Sequence, residues 1–302
     1  MTITTKDLQS LTAIAISAAK EAGTLVQSYA NQPFSIMTKT GGNSEASQVL
    51  TEVDLKSQEV ILKYLHPTCK SHDLALLTEE TPDDRGRLEK EAFWCIDPID
   101  GTLPFTERSP GYAVSIALVS KSGTPLIGVV YNPVDQTMYH SIKNNGLFRN
   151  GHPWNPQFNK PDLTHSTVLH IFLDRSFLKH SNYNKWMDTL DNLTKEKGFN
   201  TNTIVHHQGA VMNACSVLEH APAIYFKPAK PELGGGSLWD FAATAALFKE
   251  ARTIVRDMSG KELDLNRADS TFMNHRGILY TTDEKLAEII KQCENLITNH
   301  LY

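Results

Sequence analysis

The segment Trp94-Cys95-Ile96-Asp97-Pro98-Ile99-Asp100-Gly101-Thr102 constrains this chain more than any other. Two carboxylates, Asp97 and Asp100, flank a turn stiffened by Pro98, whose ring fixes φ. Two acids three positions apart on a stiff turn converge on one point, which suits a hard cation such as Mg²⁺. The Gly101-Thr102 step offers backbone N–H groups and a hydroxyl, which suit a phosphate. Cation and phosphate side by side is the arrangement that metal-assisted phosphoester hydrolysis needs. A plain turn requires neither the second carboxylate nor the threonine.

The chain has 302 residues, enough for two domains with a sizeable core. Hydrophobic residues make up 40% and charged residues 21%, the profile of a globular protein. A formal net charge of −5 argues against a nucleic-acid polymer as partner. No apolar run has the length of a membrane span. The start of the chain has no basic stretch followed by an apolar one, so no signal peptide is expected. Cys69, Cys95, Cys215 and Cys293 form no close pair, which indicates neither a zinc knuckle nor a disulfide framework. A reducing cytoplasm is the expected setting.

Periodicity predicts helices over residues 7–30 and 54–65, separated by a Gly-, Ser- and Thr-rich loop from Thr38 to Ser47. Residues 74–77 and 92–96 read as short strands ending in acids; 114–119, 126–131 and 138–142 read as an antiparallel meander. Residues 151–165 hold three prolines and are the expected junction. It divides the chain into an N-terminal α+β part, residues 1–155, and a C-terminal α/β part, residues 156–302. The second part alternates strands (167–173, 201–205, 223–226) with helices (176–198, 210–219, 240–252). No internal repeat is present.

Acids stand where these elements begin or end: Asp54, Glu79-Glu80, Asp97 with Asp100, and Asp240. Asp54 and Asp240 also suit helix N-caps, and Glu79-Glu80 a solvated turn. A rival phosphatase class uses an Asp nucleophile in a D-x-D-G-T segment with its acids two apart. The wider spacing here, with Pro98 between, favours water attack at metal ions over an aspartyl-phosphate.

Several ordered blocks resemble the inositol monophosphatase superfamily, and the resemblance covers nearly the whole chain. They are Thr51-Glu52-Val53-Asp54, Leu77-Thr78-Glu79-Glu80, Asp97 to Thr102, Gly128-Val129-Val130-Tyr131, and Leu238-Trp239-Asp240 with Ala242-Ala243. The resemblance implies an α/β (α+β) fold, a layered αβαβα sandwich of the inositol monophosphatase and sugar phosphatase type. It implies a Mg²⁺-dependent, lithium-sensitive phosphatase holding two or three ions. Glu79, Asp97 and the carbonyl of Ile99 would hold the first metal, and Asp97, Asp100 and Asp240 the second. Glu79 and Thr102 would position the attacking water, with Asp54 near that water and a third metal. Gly101 and Thr102 would donate N–H groups to the phosphate. Gly209-Ala210 resembles the family's substrate loop; His206 and His207 just before it read more simply as surface or hydrogen-bonded residues. The partner implied is a small phosphorylated metabolite, and both a monomer and a homodimer fit the family.

The branch is split. Inositol phosphatases carry an acid seven residues before the final Asp, where this chain has Leu233. Lys227 and Lys230 lie in a longer stretch ending in Gly234-Gly235-Gly236, and would meet a second phosphate or simply be solvated. Thr106 to Tyr112 is similar to the bacterial nucleotidase branch, and Gly151 to Trp154 to the inositol branch. Three readings follow: an inositol- or sugar-phosphate monophosphatase, a 3′(2′),5′-bisphosphate nucleotidase, and a catalytically weak scaffold binding metal and phosphate.

Overall fold

The computed structural model describes residues 3–38, 49–156 and 168–298. The expected loop from Thr38 to Ser47 and the end of the expected junction lie almost entirely outside these residues. Helix α1 (Thr5–Tyr29) starts with a capping box, in which Thr4 Oγ1 accepts from Asp7 N–H and Asp7 Oδ2 accepts from Thr4 N–H. A small antiparallel pair, β1 (Ile36–Thr38) and β2 (Val49–Thr51), leads into α2 (Glu52–His72). The sequence predicts α2 to end at residue 65, yet it runs through Pro67. An interior proline costs a helical hydrogen bond. Burial offsets that cost here: Ile61, Leu65 and Thr68 are all packed inside, and Trp94 Nε1–H donates to Thr68 Oγ1 at 2.8 Å.

A seven-stranded sheet follows: β3 (Ala75–Thr78), β4 (Ala92–Asp100), β5 (Ala113–Ser120), β6 (Pro125–Asn132), β7 (Thr137–Ile142), β8 (Gly146–Arg149) and β9 (His152–Pro153). β3 pairs parallel with β4; β5–β7 form the meander expected from the alternation, joined antiparallel to β4 on one side and extended by β8 and β9 on the other. A short helix, α3 (Thr102–Thr106), leaves the end of β4. The second sheet has the order β11-β10-β12-β14-β13, with β10 (Val168–Phe172), β11 (Thr201–Val205), β12 (Ala223–Lys227), β13 (Ile254–Arg256) and β14 (Ile278–Thr281). Its helices are α4 (Tyr183–Glu196), α5 (Ala210–Glu219), α6 (Leu238–Ala251) and α7 (Glu284–Thr298). The helix expected over residues 176–198 is broken: a 3₁₀ turn, Arg175–Lys179, ends at His180, whose φ of −68° and ψ of 133° are extended, before α4 begins.

The apolar clusters define five layers. Leu8, Leu11, Ala15, Ala18, Ile61 and Leu65 of α1 and α2 cover one face of the large sheet. α5 and α6 fill the space between the sheets through Val211, Ala214, Leu238, Phe241, Ala242 and Leu247, among others. Trp186 and Leu190 of α4, with Leu286, Ile290 and Cys293 of α7, cover the outer face of the small sheet. This is the αβαβα sandwich; both helices of its middle layer come from the second half of the chain and pack against the sheet of the first. Among the described residues, no helix is long and apolar enough to cross a membrane.

α6 lies directly on β6. A Cβ at Gly128 would meet Ala243 O at 2.3 Å and Ala246 Cβ at 2.8 Å. Gly128→Ala is therefore expected to push α6 off the sheet and cost about 1–3 kcal/mol of stability, read by urea denaturation. Unchanged stability would mean that α6 slides without penalty.

Candidate active site

A local irregularity in β4 brings the first two acids together. Asp97 faces Ser115 and Asp100 faces Ala113, so three steps on β4 match two on β5. In a regular strand, residues three apart point to opposite faces. The extra residue of the bulge returns Asp100 to the side of Asp97. Pro98 has no N–H to withdraw from the ladder, and the Ile99 N–H turns back to Asp97 Oδ1 at 3.0 Å. Parallel pairing sets Thr78 beside Ile96, and Glu79 N–H donates to Ile96 O at 3.1 Å. Glu79 thus emerges next to Asp97 and shares a hydrogen bond with it.

Asp240 arrives from the other half of the chain. It stands in the first turn of α6, which Ser237 caps; the Ser237 N–H donates to Asp240 Oδ2 at 2.7 Å. One carboxylate oxygen from each of Asp97, Asp100 and Asp240 lies within 4.8 Å of the other two. Three converging oxygen donors without His or Cys fit a hard divalent cation.

Asp100 is braced by α5. It accepts from Ala210 N–H at 3.1 Å and Val211 N–H at 2.9 Å, the orphan donors of a helix start, where a negative charge is favoured. The approach needs glycine: a Cβ on Gly209 would lie 2.2 Å from Asp100 Oδ2. Gly101 has φ of +84°, and a Cβ there would lie 2.8 Å from Gly111 O. The sequence reading gives Gly209 and Ala210 to the substrate. In the structure both N–H groups are committed inside the protein, Gly209's to Gly111 O at 2.7 Å and Ala210's to Asp100.

Thr102 joins the remaining pieces. Its hydroxyl lies 3.2 Å from the carbonyl oxygen of Ile99 and 3.3 Å from Asp54 Oδ1. Asp54 is fully buried, and its Oδ2 accepts from the N–H and the hydroxyl of Thr51. It sits one turn into α2, not at the cap; Thr51 is the cap residue. His206 and His207 are exposed.

Lys227 ends β12 with its ammonium ion-paired to Asp174 and 5.4 Å from the centre of the Phe241 ring. Lys230 has no ion pair among the described residues; burial, and then the Lys227 charge, push its ammonium pKa down. Asp174 is absent from the sequence reading. Its signal was available, since it follows a strand as the other acids do.

Burial pushes the Asp97 carboxyl well above the usual range, helped by Glu79, Asp100 and Asp240. Burial does the same to Asp100, helped first by Asp240 and opposed by the Val211 N–H. Asp240 is pushed from 3.8 up to about 6, by burial first and then by Glu79. A carboxyl whose folded pKa exceeds its unfolded value holds its proton longer when folded. It therefore favours folding below pH 3.8, and that advantage is lost as pH rises towards about 6. In chelator, Tm should fall across this window; Asp240→Asn should flatten the slope, and Mg²⁺ should raise Tm more above the window than below it. A slope that is the same in Asp240→Asn, measured by calorimetry, would remove Asp240 as its source.

Comparison with known proteins matches the chain over residues 7–297 to the inositol monophosphatase family. It is 28% identical over 254 residues to inositol monophosphatase 3 of Solanum lycopersicum, covering 83% of this chain and 87% of that protein. It is 29% identical over 226 residues to the 3′(2′),5′-bisphosphate nucleotidase CysQ of Salmonella typhimurium, covering 74% and 82%. The inositol monophosphatase structure of Thermotoga maritima shares the fold, with a TM-score of 0.70 at 20% identity over 94% of this chain and 98% of that one. With the match running nearly end to end, this chain belongs to the inositol monophosphatase family and is a phosphomonoester hydrolase.

Proposed function

We propose that the chain hydrolyses a small phosphomonoester with a hydroxyl-bearing leaving group, inositol monophosphate or a related sugar phosphate, using Mg²⁺. The observation that carries this reading is the convergence of Asp97, Asp100 and Asp240 within 4.8 Å. Asp97, Asp100, Asp240, Glu79 and the Ile99 carbonyl would hold two or three ions. Bound Mg²⁺ makes a coordinated water acidic and withdraws charge from the phosphate.

The chain's own groups do the rest. Glu79, next to Asp97, takes the proton of the attacking water. Thr102 orients that water, with its hydroxyl held by the Ile99 carbonyl and Asp54. The open start of α3, at Gly101 and Thr102, offers N–H groups to the phosphate. No side-chain nucleophile is implied: burial pushes the Cys95 and Cys215 thiols up, leaving them as inert thiols. Beside the acids, the Lys227–Asp174 pair offers both a donor and an acceptor to substrate hydroxyls.

The second reading, a 3′(2′),5′-bisphosphate nucleotidase, draws on the Lys230 ammonium. Part-buried and without an ion pair among the described residues, it suits a second phosphate close to Lys227.

Phosphate release from inositol 1-phosphate, 3′-phosphoadenosine 5′-phosphate and fructose 1,6-bisphosphate tests both readings. Mg²⁺-dependent, Li⁺-inhibited turnover is expected, with the highest kcat/KM on inositol 1-phosphate. Asp97→Asn should cut kcat at least about a hundredfold. A wild type that turns over none of the three, or an Asp97→Asn variant that keeps full activity, would refute the mechanism. Lys227→Ala with Lys230→Ala should raise KM for the adenosine bisphosphate more than for inositol 1-phosphate if the second reading holds, and raise both alike if it does not.

A further inference from the structure

Asp174 is the point where three chain segments meet beside the acidic cluster: the turn after β10, helix α5 and strand β12. It follows β10, and its Oδ1 accepts from Tyr225 Oη at 2.8 Å and from Asn213 Nδ2 at 3.3 Å. Its Oδ2 pairs with the Lys227 ammonium. The two side chains of this pair are only 18% and 15% exposed, so water and salt screen it weakly. The pair stands within electrostatic reach of the catalytic acids. Asp174 contributes to the upward push on Asp100, and Lys227 counters the upward push on Asp240.

Lys227 is thus a cation in the wall of the site whose charge is already matched. An anionic group approaching it meets the Asp174 carboxylate as well, and like charges at short range repel. A hydroxyl meets no such penalty: it can donate to Asp174 or accept from Lys227. Selectivity of this kind comes from a repulsive element aimed at the wrong ligand.

We propose that Asp174 sets the charge preference of the leaving-group side of the site, positioning and neutralising Lys227 so that phosphomonoesters with an uncharged, hydroxyl-bearing leaving group are favoured over those carrying a second phosphate. The proposal rests on the phosphomonoesterase reading above, and it makes Asp174 a specificity residue that acts both directly on the approaching group and through Lys227.

The test compares 3′-AMP with adenosine 3′,5′-bisphosphate, which differ only in the second phosphate. Both are titrated calorimetrically into the full chain with Mg²⁺, and turnover is followed in parallel. Asp174→Asn keeps the shape and removes the charge. It should tighten the bisphosphate at least about tenfold relative to 3′-AMP, through KM and not kcat where turnover is seen. Lys227→Met leaves Asp174 unpaired and should shift the preference the other way. In the double variant the gain should vanish. The proposal is overturned if Asp174→Asn changes both ligands alike, or weakens the bisphosphate selectively. If the Asn variant fails to fold, Lys227→Met decides: no loss of relative bisphosphate affinity overturns it. Binding shifts without hydrolysis of either nucleotide leave the charge preference standing, and no turnover of inositol 1-phosphate in the same preparation refutes the phosphomonoesterase reading separately.

Discussion

Carboxylates that are close together and short of water raise each other's energy. At Asp97, Asp100 and Asp240 three of them do so within 4.8 Å, with Glu79 alongside. The fold answers each with a backbone donor. Ile99 N–H serves Asp97, the start of α5 serves Asp100, and Ser237 N–H serves Asp240. These donors only partly compensate, since all three carboxyls remain shifted upward. The positive charge still lacking is what the proposed divalent cation would supply, so the same crowding that raises these carboxyls would favour its binding.

The layers make this arrangement rigid. α5 and α6 are wedged between two sheets, and both point a helix start at the site. One start braces an acid of the cluster from β4; the other carries an acid of its own. Close packing fixes both helices: Ala243 and Ala246 sit against Gly128 with no room for a methyl group, and Gly209 lets α5 approach Asp100. A shift of either helix would therefore move a carboxylate, which is why small residues so far apart in sequence bear on one centre.

Much of the site was legible in the sequence because its signals are local. The Asp97–Thr102 segment carries its own turn chemistry, and the meander follows from alternation. What was not legible depends on pairing across the chain. Ala210 reads as a helix start given to the substrate until α5 meets Asp100, and Lys227 reads as a solvated or phosphate-binding cation until β10 places Asp174 against it. α2 continues past Pro67 because burial outweighs a local breaker, and the break before α4 reflects tertiary packing that periodicity does not report. Local sequence reads Asp240 as a cap and the resemblance reads it as part of the cluster; Ser237 takes the cap, and Asp240 stands in the first turn with an oxygen in the cluster.

The distribution of the acids along the chain has a consequence for biosynthesis. Glu79, Asp97 and Asp100 leave the ribosome early, but the cluster closes only when Asp240 docks with α6 between two sheets. The last strand and helix of the second sheet, β14 and α7, come later still. A nascent or truncated chain therefore carries most of the acids without the cluster. The acidic cluster is a property of the whole sandwich and of neither half alone.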